Sequence, residues 1–129
     1  MSVAKIFRFD LEVANLEEAA AFYGKLLAIE GKTHPGARHY INCGGVILQI
    51  LDVARGGVKP TPCNLIYFAV DELASYHARA KAMNALAPYQ VHGEPAGDIV
   101  ERPWGEKSFY VVDPWGNDMC FVEDGTLYT

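Results

Sequence analysis

The sequence predicts an α+β fold in which the order strand, helix, three strands occurs twice. Residues 5–13, KIFRFDLEV, alternate polar and apolar side chains with the period of two that a strand requires, and residues 16–28, LEEAAAFYGKLLA, carry apolar side chains at helical spacing. The same succession begins again with NLIYFAVDEL at 64–73 and ELASYHARAKAMNAL at 72–86. Each half can therefore bury one face of a sheet under its own helix, and the opposite faces are expected to line a shared cleft.

The first half begins with a strand that has a completely apolar face. Asn15 is the predicted N-cap of the helix, because its side-chain oxygen can accept a hydrogen bond from a free backbone N–H of the first turn. The pair at 44–45, Gly-Gly, predicts a tight hairpin turn between two later strands, since glycine readily adopts positive φ. The apolar face of the first strand consists of Phe7, Phe9, Leu11 and Val13.

The second half has a comparable set of local signals. Asp71 is the predicted N-cap of its helix. Strands are predicted near 99–103, 106–112 and 117–123. The stretch Asp113-Pro-Trp-Gly-Asn between the last two strands indicates a turn, because proline presets φ, glycine supplies positive φ and the aspartate side chain can accept a backbone hydrogen bond.

The triplet Pro-Trp-Gly occurs twice, at 103–105 and at 114–116. Trp115 lies in the predicted turn and is expected at the surface or at an interface. Trp104 is expected at the mouth of a cavity, where its ring would stack on a planar or cationic ligand; plain packing is the alternative.

Composition excludes several classes of partner. A net charge of −5 disfavours nucleic-acid binding, which needs a basic surface. No apolar run approaches the ~18 residues of a membrane span, and the charged N-terminal stretch is unlike a signal peptide. Three widely spaced cysteines without a CxxC pair predict reduced thiols in a cytoplasmic protein. The length predicts a single domain, with module 1 at about 1–52, a linker at 53–63 and module 2 at about 64–129.

Two long stretches resemble the vicinal oxygen chelate superfamily: FRFDLEVANLEEAAAFYGKLLA and SFYVVDPWGNDMCFVED. This superfamily groups glyoxalases, bleomycin-resistance proteins, fosfomycin-resistance enzymes and extradiol dioxygenases. The segment ERPWGEKSFYVVDPWGN resembles bleomycin-resistance proteins and glyoxalase-like proteins of undefined activity in particular. The resemblance implies paired βαβββ modules that form a cupped mixed sheet around a pocket, in a glyoxalase/bleomycin-resistance-type fold. It also implies a homodimer, because members often dimerise.

Metal-dependent members of this superfamily hold a divalent cation with four side chains, usually His and Glu and in some members Gln, on the first and fourth strands of each module. The resemblance places those positions here at Arg8, Gln49, Leu65 and Cys120. Arginine has no lone pair to give and leucine cannot ligate, whereas a hard cation requires several carboxylates or imidazoles. We therefore expect no metal at these positions and no cofactor.

The four histidines have alternative interpretations. His34 and His39 either pair on a shifted metal or act as acid and base, or they lie at the surface beside a Pro-Gly turn. His77 and His92 are expected to face solvent.

Six residues are predicted to bind a ligand in the cup. Arg8 either binds an anionic group through its guanidinium fork or pairs with a carboxylate such as Asp10 or Glu106. Gln49 interrupts an apolar strand, so it needs a hydrogen-bonding partner within the cup or from a ligand. The other four predicted contacts are Tyr67, Trp104, Tyr110 and Cys120.

The last three strand positions each have two interpretations. Tyr67 and Tyr110 have inward strand parity, and each hydroxyl either reaches the cavity or belongs to the core. Cys120 is either an inert buried thiol or a reactive one whose pKa a nearby cation lowers.

These residues favour a small-molecule binding protein of the glyoxalase/bleomycin-resistance type. It would work without metal and would sequester or sense a small organic ligand of anionic or aromatic character. The alternatives are a glyoxalase-like lyase or isomerase, a dioxygenase-related enzyme, or a cup filled by its own side chains that acts mainly as a dimer interface. No nucleic-acid or membrane partner is expected.

Overall fold

The computed structural model describes residues 2–129, which form two compact units that divide between Pro62 and Cys63. Within the described residues, each unit contains one four-stranded mixed sheet and one α-helix, so the predicted α+β class is confirmed. In the same part of the chain, no helix combines the length and the apolar character that a membrane crossing needs. The extents of module 1, linker and module 2 stay a prediction.

The first unit alternates strands and helix as expected. Its elements are β1 (Arg8–Val13), α1 (Leu16–Leu27), β2 (Lys32–His34), β3 (Arg38–Cys43), β4 (Val46–Asp52) and a 3-10 helix (Val53–Gly56). The sheet has the order β1-β4-β3-β2, in which β1 and β4 are parallel and the other neighbours antiparallel. The first and last strands are therefore adjacent, and the register pairs Gln49 with both Asp10 and Tyr40.

Local chemistry accounts for the start of α1 and for the hairpin after β3. The Asn15 side chain accepts a hydrogen bond from the N–H of Glu18 at 3.0 Å, which confirms the predicted N-cap. The buried carboxylate of Asp52 accepts from the N–H of Leu16 at 3.0 Å, so the end of β4 is tied to the first turn of the helix. The two glycines at 44–45 have φ of 65° and 99°, which confirms the predicted turn between β3 and β4.

The helix covers only part of the first strand. Leu11 and Val13 are buried, but Phe9 is partly exposed and Phe7 lies before β1 begins and is exposed. The apolar face seen in the sequence is therefore buried only in its second half, because α1 packs mainly against β3 and β4. The buried side chains of α1 are Leu16, Ala19, Tyr23, Leu26 and Leu27.

The second unit repeats this arrangement and adds one hairpin. Its elements are β5 (Leu65–Val70), α2 (Leu73–Ala82), β6 (Gln90–Val91), β7 (Glu94–Pro95), β8 (Val100–Glu101), β9 (Lys107–Val112) and β10 (Asp118–Glu123). The sheet has the order β5-β10-β9-β8, again with first and last strands parallel neighbours, and β6 pairs with β7. The hairpin falls where the sequence indicated only a connecting loop, and β8 is shorter than the strand predicted at 99–103.

The second helix differs from the prediction at both ends. Glu72, and not Asp71, is the N-cap, and its side chain makes no capping hydrogen bond. The helix ends at Ala82 instead of continuing to 86, and Asn84 adopts a positive φ of 54° that no helix residue has. Packing therefore stabilises this helix more than capping does.

An aromatic row forms the face of the second sheet that α2 covers. Phe121 stacks on Phe68 at 5.1 Å and on Phe109 at 5.4 Å between ring centroids. The ring of His77 meets Phe109 edge to face at 4.9 Å, and its Nε2 lies 2.8 Å from the carbonyl oxygen of Gly97. The prediction that His77 faces solvent is wrong, because its ring contacts Phe109 in the sheet and the backbone of the loop at Gly97.

The turn between β9 and β10 is organised by Asp113. Its Oδ1 accepts hydrogen bonds from the backbone N–H groups of Trp115 at 2.9 Å and Asn117 at 2.8 Å, and Gly116 has φ of 84°. The Asn117 side chain donates to Oδ2 of Asp113 at 2.8 Å and accepts from the N–H of Cys63 at 2.8 Å. The predicted turn is confirmed, and it also anchors the chain just before β5.

Replacing Gly31 by Ala is expected to lower the free energy of unfolding by about 1–3 kcal/mol, the usual cost of overpacking an interior. A Cβ at this position would meet the His39 ring and would lie 2.8 Å from the carbonyl oxygen of Tyr40. Urea denaturation of G31A measures the loss.

Gly56 provides the matched control. A Cβ at Gly56 has no heavy atom within 4 Å, so G56A is expected to change the free energy of unfolding by no more than about 0.5 kcal/mol. If G31A were as stable as the unmodified protein, the close approach of His39 to Gly31 would be contradicted.

Candidate functional site

The face of the first sheet opposite α1 carries a hydrogen-bonded row across three strands. Gln49 is only 7% exposed; its Oε1 accepts a hydrogen bond from the Tyr40 hydroxyl at 2.6 Å, and its Nε2 donates to Oδ1 of Asp10 at 2.7 Å. The polar break that the sequence shows in β4 is therefore satisfied inside the unit, by one strand on each side.

Arg8 forms the exposed end of this row. Its Nη1 donates to the Tyr40 hydroxyl at 3.3 Å, and its guanidinium lies 5.0 Å from the centroid of the Phe7 ring and 5.7 Å from that of Tyr40. Arg8 makes no ion pair within residues 2–62, so the predicted alternative in which it pairs with Asp10 is not observed there. Arg8 is thus held by aromatic rings and keeps donors toward solvent.

His34 and His39 lie on opposite faces of the first sheet. The His34 ring contacts the Tyr40 ring at 4.6 Å, on the face opposite α1. His39 is buried on the helix side with its Nδ1 2.9 Å from Oγ1 of Thr33, so the surface interpretation of His39 is wrong. Burial, and to a lesser extent the charge of His34, lowers the pKa of His39.

The face of the second sheet opposite α2 brings three of the predicted residues into one row. The register pairs Cys120 with Tyr67 on one side and with Tyr110 on the other. Cys120 and Tyr110 are buried in a small cluster with Ala87 and Ala96, whereas Tyr67 is 59% exposed. Both tyrosines therefore lie on the same face as Cys120, as their predicted strand parity requires, but Tyr110 is buried and Tyr67 is exposed.

Burial keeps this row protonated. It raises the pKa of the Cys120 thiol, against the opposing effects of hydrogen bonds from Ser108 and Tyr110. It also raises the pKa of Tyr110 to about 12, and it raises the pKa of Tyr67. A neutral thiol is a poor nucleophile, so the row offers hydroxyl groups for hydrogen bonding and not an activated sulfur.

A recess of about 450 Å³ lies beside the exposed end of this row. We call it the aromatic recess; its lining residues are Tyr67, Phe68, Ala69, Trp104, Glu106, Val122 and the C-terminal residues 127–129. The mixture of aliphatic and aromatic lining suits a small planar molecule.

Glu106 fixes two parts of the recess wall. Its Oε1 accepts a hydrogen bond from the indole N–H of Trp104 at 2.7 Å, and its Oε2 accepts from the backbone N–H of Tyr128 at 2.9 Å. The exposed His92 ring meets the Trp104 ring edge to face at 5.2 Å. The indole is therefore oriented from two sides, and the solvent exposure predicted for His92 is confirmed.

A second, more open recess of about 480 Å³ lies at the other end of the row. Leu65, Val91 and Tyr110 are among its apolar lining residues. The Tyr89 hydroxyl donates to Oδ1 of Asp118 at 2.8 Å at its rim. Burial and this hydrogen bond raise the pKa of Tyr89.

Arg102 is the residue that sequence reasoning missed. It is only 3% exposed, its Nε donates to Oγ of Ser108 at 2.9 Å, and its Nη2 donates to the carbonyl oxygen of Ser108 at 3.1 Å. The guanidinium lies 5.1 Å from the centroid of the Tyr110 ring, and its buried Nη1 has no hydrogen-bond partner. The available signal was the two-residue alternation of the strand predicted at 99–103, which places Arg102 on the same face as Val100.

The four positions at which related proteins bind metal do not suit a divalent cation. Arg8 is cationic and Leu65 is apolar, while the amide oxygen of Gln49 already accepts the Tyr40 hydroxyl. Cys120 could supply at most one soft sulfur ligand, which a hard cation does not favour. Among residues 2–129, no three or more His, Cys, Asp or Glu side chains cluster closely enough to share a metal ion.

The structure thus groups the six predicted residues by unit. Arg8 and Gln49 meet through Tyr40 in the first unit. Tyr67, Cys120 and Tyr110 form one row in the second unit. Trp104 and Tyr67 both line the aromatic recess.

Comparison with solved structures identifies the fold. The chain superposes on the oxidase ChaP-H2 with a TM-score of 0.77 and 20% identity, over 95% of this chain and 94% of that chain. A glyoxalase-related enzyme from Fulvimarina pelagi gives a TM-score of 0.73 and 21% identity, over 95% of this chain and 90% of that one. A glyoxalase/bleomycin resistance protein from Albidiferax ferrireducens T118 gives 0.72 and 20%, over 92% and 98%. The chain has the glyoxalase/bleomycin-resistance fold.

This result agrees with the resemblance seen in the sequence. The fold of these neighbours is the fold that the sequence resemblance implies. A scan against protein-family models gives no match, and a search of curated proteins gives none. The TM-scores establish a shared fold. They do not establish a shared activity, because the identities are near 20% and a single fold supports many activities.

Lowering the pH is expected to destabilise the protein through His39. Because its pKa is lowered in the folded state, the unfolded chain binds the proton first as the pH falls. The stability that neutral His39 contributes is complete above the unfolded pKa of about 6.5 and is lost as the pH falls through the lower folded-state value. Thermal unfolding over this range measures the decrease.

His39→Gln provides the comparison, because its amide can still hydrogen-bond to Thr33 but cannot titrate. Its melting temperature is expected to fall less steeply below pH 6.5. Identical pH profiles for the two proteins would show that His39 is not responsible.

Proposed function

We propose that this chain binds a small organic molecule in the aromatic recess of the second unit, and that it does so without a metal ion. The observation that supports this most directly is the orientation of Trp104 by Glu106 against a recess of about 450 Å³. That volume lies in the range of about 300–1,000 Å³ that small-molecule sites occupy. An indole already fixed in place loses little conformational entropy when a ligand stacks on it.

Binding is favoured over catalysis by the protonation of the neighbouring groups. Cys120 and Tyr110 have raised pKa values, so neither supplies a nucleophile or a base at neutral pH. The hydroxyl of Tyr67 and its raised pKa suit a hydrogen-bond donor to the ligand.

We assign the predicted contacts within this proposal as follows. Tyr67 and Trp104 contact the ligand directly, while Cys120 and Tyr110 continue the row from Tyr67 toward the second recess. Arg8 and Gln49 belong to the first unit and contribute polar contacts there. We further propose a cytoplasmic homodimer that sequesters or senses its ligand.

Trp104→Leu is expected to weaken aromatic ligands by about tenfold, since a stacked aromatic pair contributes roughly 0.5–1.5 kcal/mol beyond area burial. The probes are one- and two-ring aromatic acids and their matched neutral amides, among them 2-naphthoate and 2-naphthamide. Thermal-shift measurements select the binders, and calorimetry gives Kd for each.

Trp115→Leu is the matched control, because Trp115 lies in the β9–β10 turn outside the recess. Its ligand affinity is expected to be unchanged. Absence of binding by every probe, or equal losses in both variants, would contradict a site at Trp104. Stoichiometric divalent metal in protein purified without added metal would contradict the metal-free part of the proposal.

A further inference from the structure

We propose that Arg102 is a carboxylate-binding residue, so that the molecule held in the aromatic recess is a planar organic acid. This rests on the proposed function and names the chemical class of its ligand. The sequence directed attention to Arg8 for an anion, whereas the buried unpaired guanidinium of the second unit is Arg102.

The free edge of the guanidinium has the geometry that a carboxylate needs. Nε and Nη2 direct one edge at Ser108, to its hydroxyl and its carbonyl oxygen. Nη1 is buried and has no hydrogen-bond partner, so the other edge, formed by Nη1 and the second N–H of Nη2, could bind a carboxylate once it is uncovered. Two parallel N–H groups on one edge bind the two oxygens of a carboxylate together.

The charge of Arg102 is poorly compensated in the free protein. The side chain is 3% exposed, and among the described residues no carboxylate forms an ion pair with it. Stacking on Tyr110 compensates only partly, because a cation–π contact is weaker than an ion pair in a water-excluded site. A buried cation that lacks a counterion attracts an anion strongly. Because folding has already removed water from the guanidinium, that part of the desolvation cost does not recur when a ligand binds.

Arg102 is separated from the aromatic recess by one side chain. It lines a smaller recess of about 200 Å³ together with Glu94 and Glu101. Ser108, its hydrogen-bond partner, is the cross-strand neighbour of Val122, which lines the aromatic recess. Directly opposite residues have Cβ atoms only about 5 Å apart. The tight turn at 102–106, closed by the hydrogen bond from the N–H of Gly105 to the carbonyl oxygen of Arg102 at 2.8 Å, also carries Trp104. One turn thus holds both the aromatic wall and the cation.

Glu101 precedes Arg102 in the chain but makes no ion pair with it, and Glu106, whose carbonyl oxygen accepts the backbone N–H of Arg102, is already engaged. Its two carboxylate oxygens accept hydrogen bonds from Trp104 and Tyr128. Entry of a ligand carboxylate requires a neighbouring segment to move, because Arg102 is almost fully covered. The exposed residues Leu127 and Tyr128 border the recess, and the backbone hydrogen bond of Tyr128 to Glu106 is an exchangeable contact.

The test compares 2-naphthoate with 2-naphthamide, which share one ring system and differ in charge. The unmodified protein is expected to bind the acid at least about tenfold more tightly, the effect of hydrogen bonds to a charged group. Arg102→Met is expected to lose this preference while it still binds the amide. Its melting temperature without ligand is expected to change little, because removal of an uncompensated buried charge offsets the loss of the two hydrogen bonds to Ser108.

Arg102→Lys keeps the charge but removes the planar guanidinium. This variant tests the carboxylate-binding role if Arg102→Met does not fold. Its preference for the acid is expected to fall severalfold. Lys107→Met removes an exposed cation from β9 and is expected to keep the full preference, which controls for long-range attraction.

The outcomes separate the two proposals. If neither compound nor any other aromatic probe binds, the proposed function fails and the inference fails with it. If acid and amide bind equally well, or if Arg102→Lys retains the full preference, the recess still binds small molecules but Arg102 is overturned as the carboxylate-binding residue. A lower melting temperature of ligand-free Arg102→Met, with the acid preference intact, would assign Arg102 a purely structural role.

Discussion

The register of the second sheet depends on one carboxylate, that of Asp113. It binds the backbone N–H groups of Trp115 and Asn117, so the chain reverses at a fixed position between β9 and β10. The side-chain oxygen of Asn117 in turn accepts a hydrogen bond from the N–H of Cys63, which holds the chain just before β5 against the same turn. Because side chains alternate with a period of two, a slip of one residue would carry Cys120 to the helix face. The chemistry of the face opposite α2 therefore follows from this turn.

Among the described residues, each unit buries one guanidinium nitrogen that has no hydrogen-bond partner, Nε of Arg38 in the first and Nη1 of Arg102 in the second, but Arg38 is only partly buried. In the first unit the amide of Gln49 is bonded on both sides, by Tyr40 and Asp10, and the cation Arg8 is exposed to water that solvates it. In the second unit the cation Arg102 is buried and one of its nitrogens has no partner. A satisfied network rigidifies a sheet, whereas an unsatisfied buried group is a place where a ligand gains free energy. Ligand discrimination is accordingly expected in the second unit.

Features that depend on a few neighbouring residues were predictable from the sequence, and features that depend on packing were not. The cap at Asn15 and the turn at Asp113 require only local hydrogen bonds and glycine conformations, and both are as predicted. The burial of His39 and Arg102 depends on which strand or loop covers each side chain, and a run such as ERPWGEK resembles a solvated loop. For the candidate site, the sequence supplied the row parity of Tyr67, Tyr110 and Cys120 but not the cation beside it.

A single cause, the removal of water from the face opposite α2, accounts for both the chemical inertness of that face and its attraction for an anion. Arg102 lowers the pKa values of Cys120 and Tyr110 by its charge, yet burial is the larger effect and both groups stay protonated. The same loss of solvent leaves the guanidinium without hydration on its free edge. Neither the thiol nor the phenol becomes its counterion, since ionising either would place a second charge in the same poorly solvated region. An anion brought in by a ligand carries its charge permanently at neutral pH, and for that reason it can supply the compensation that the protein's own side chains do not.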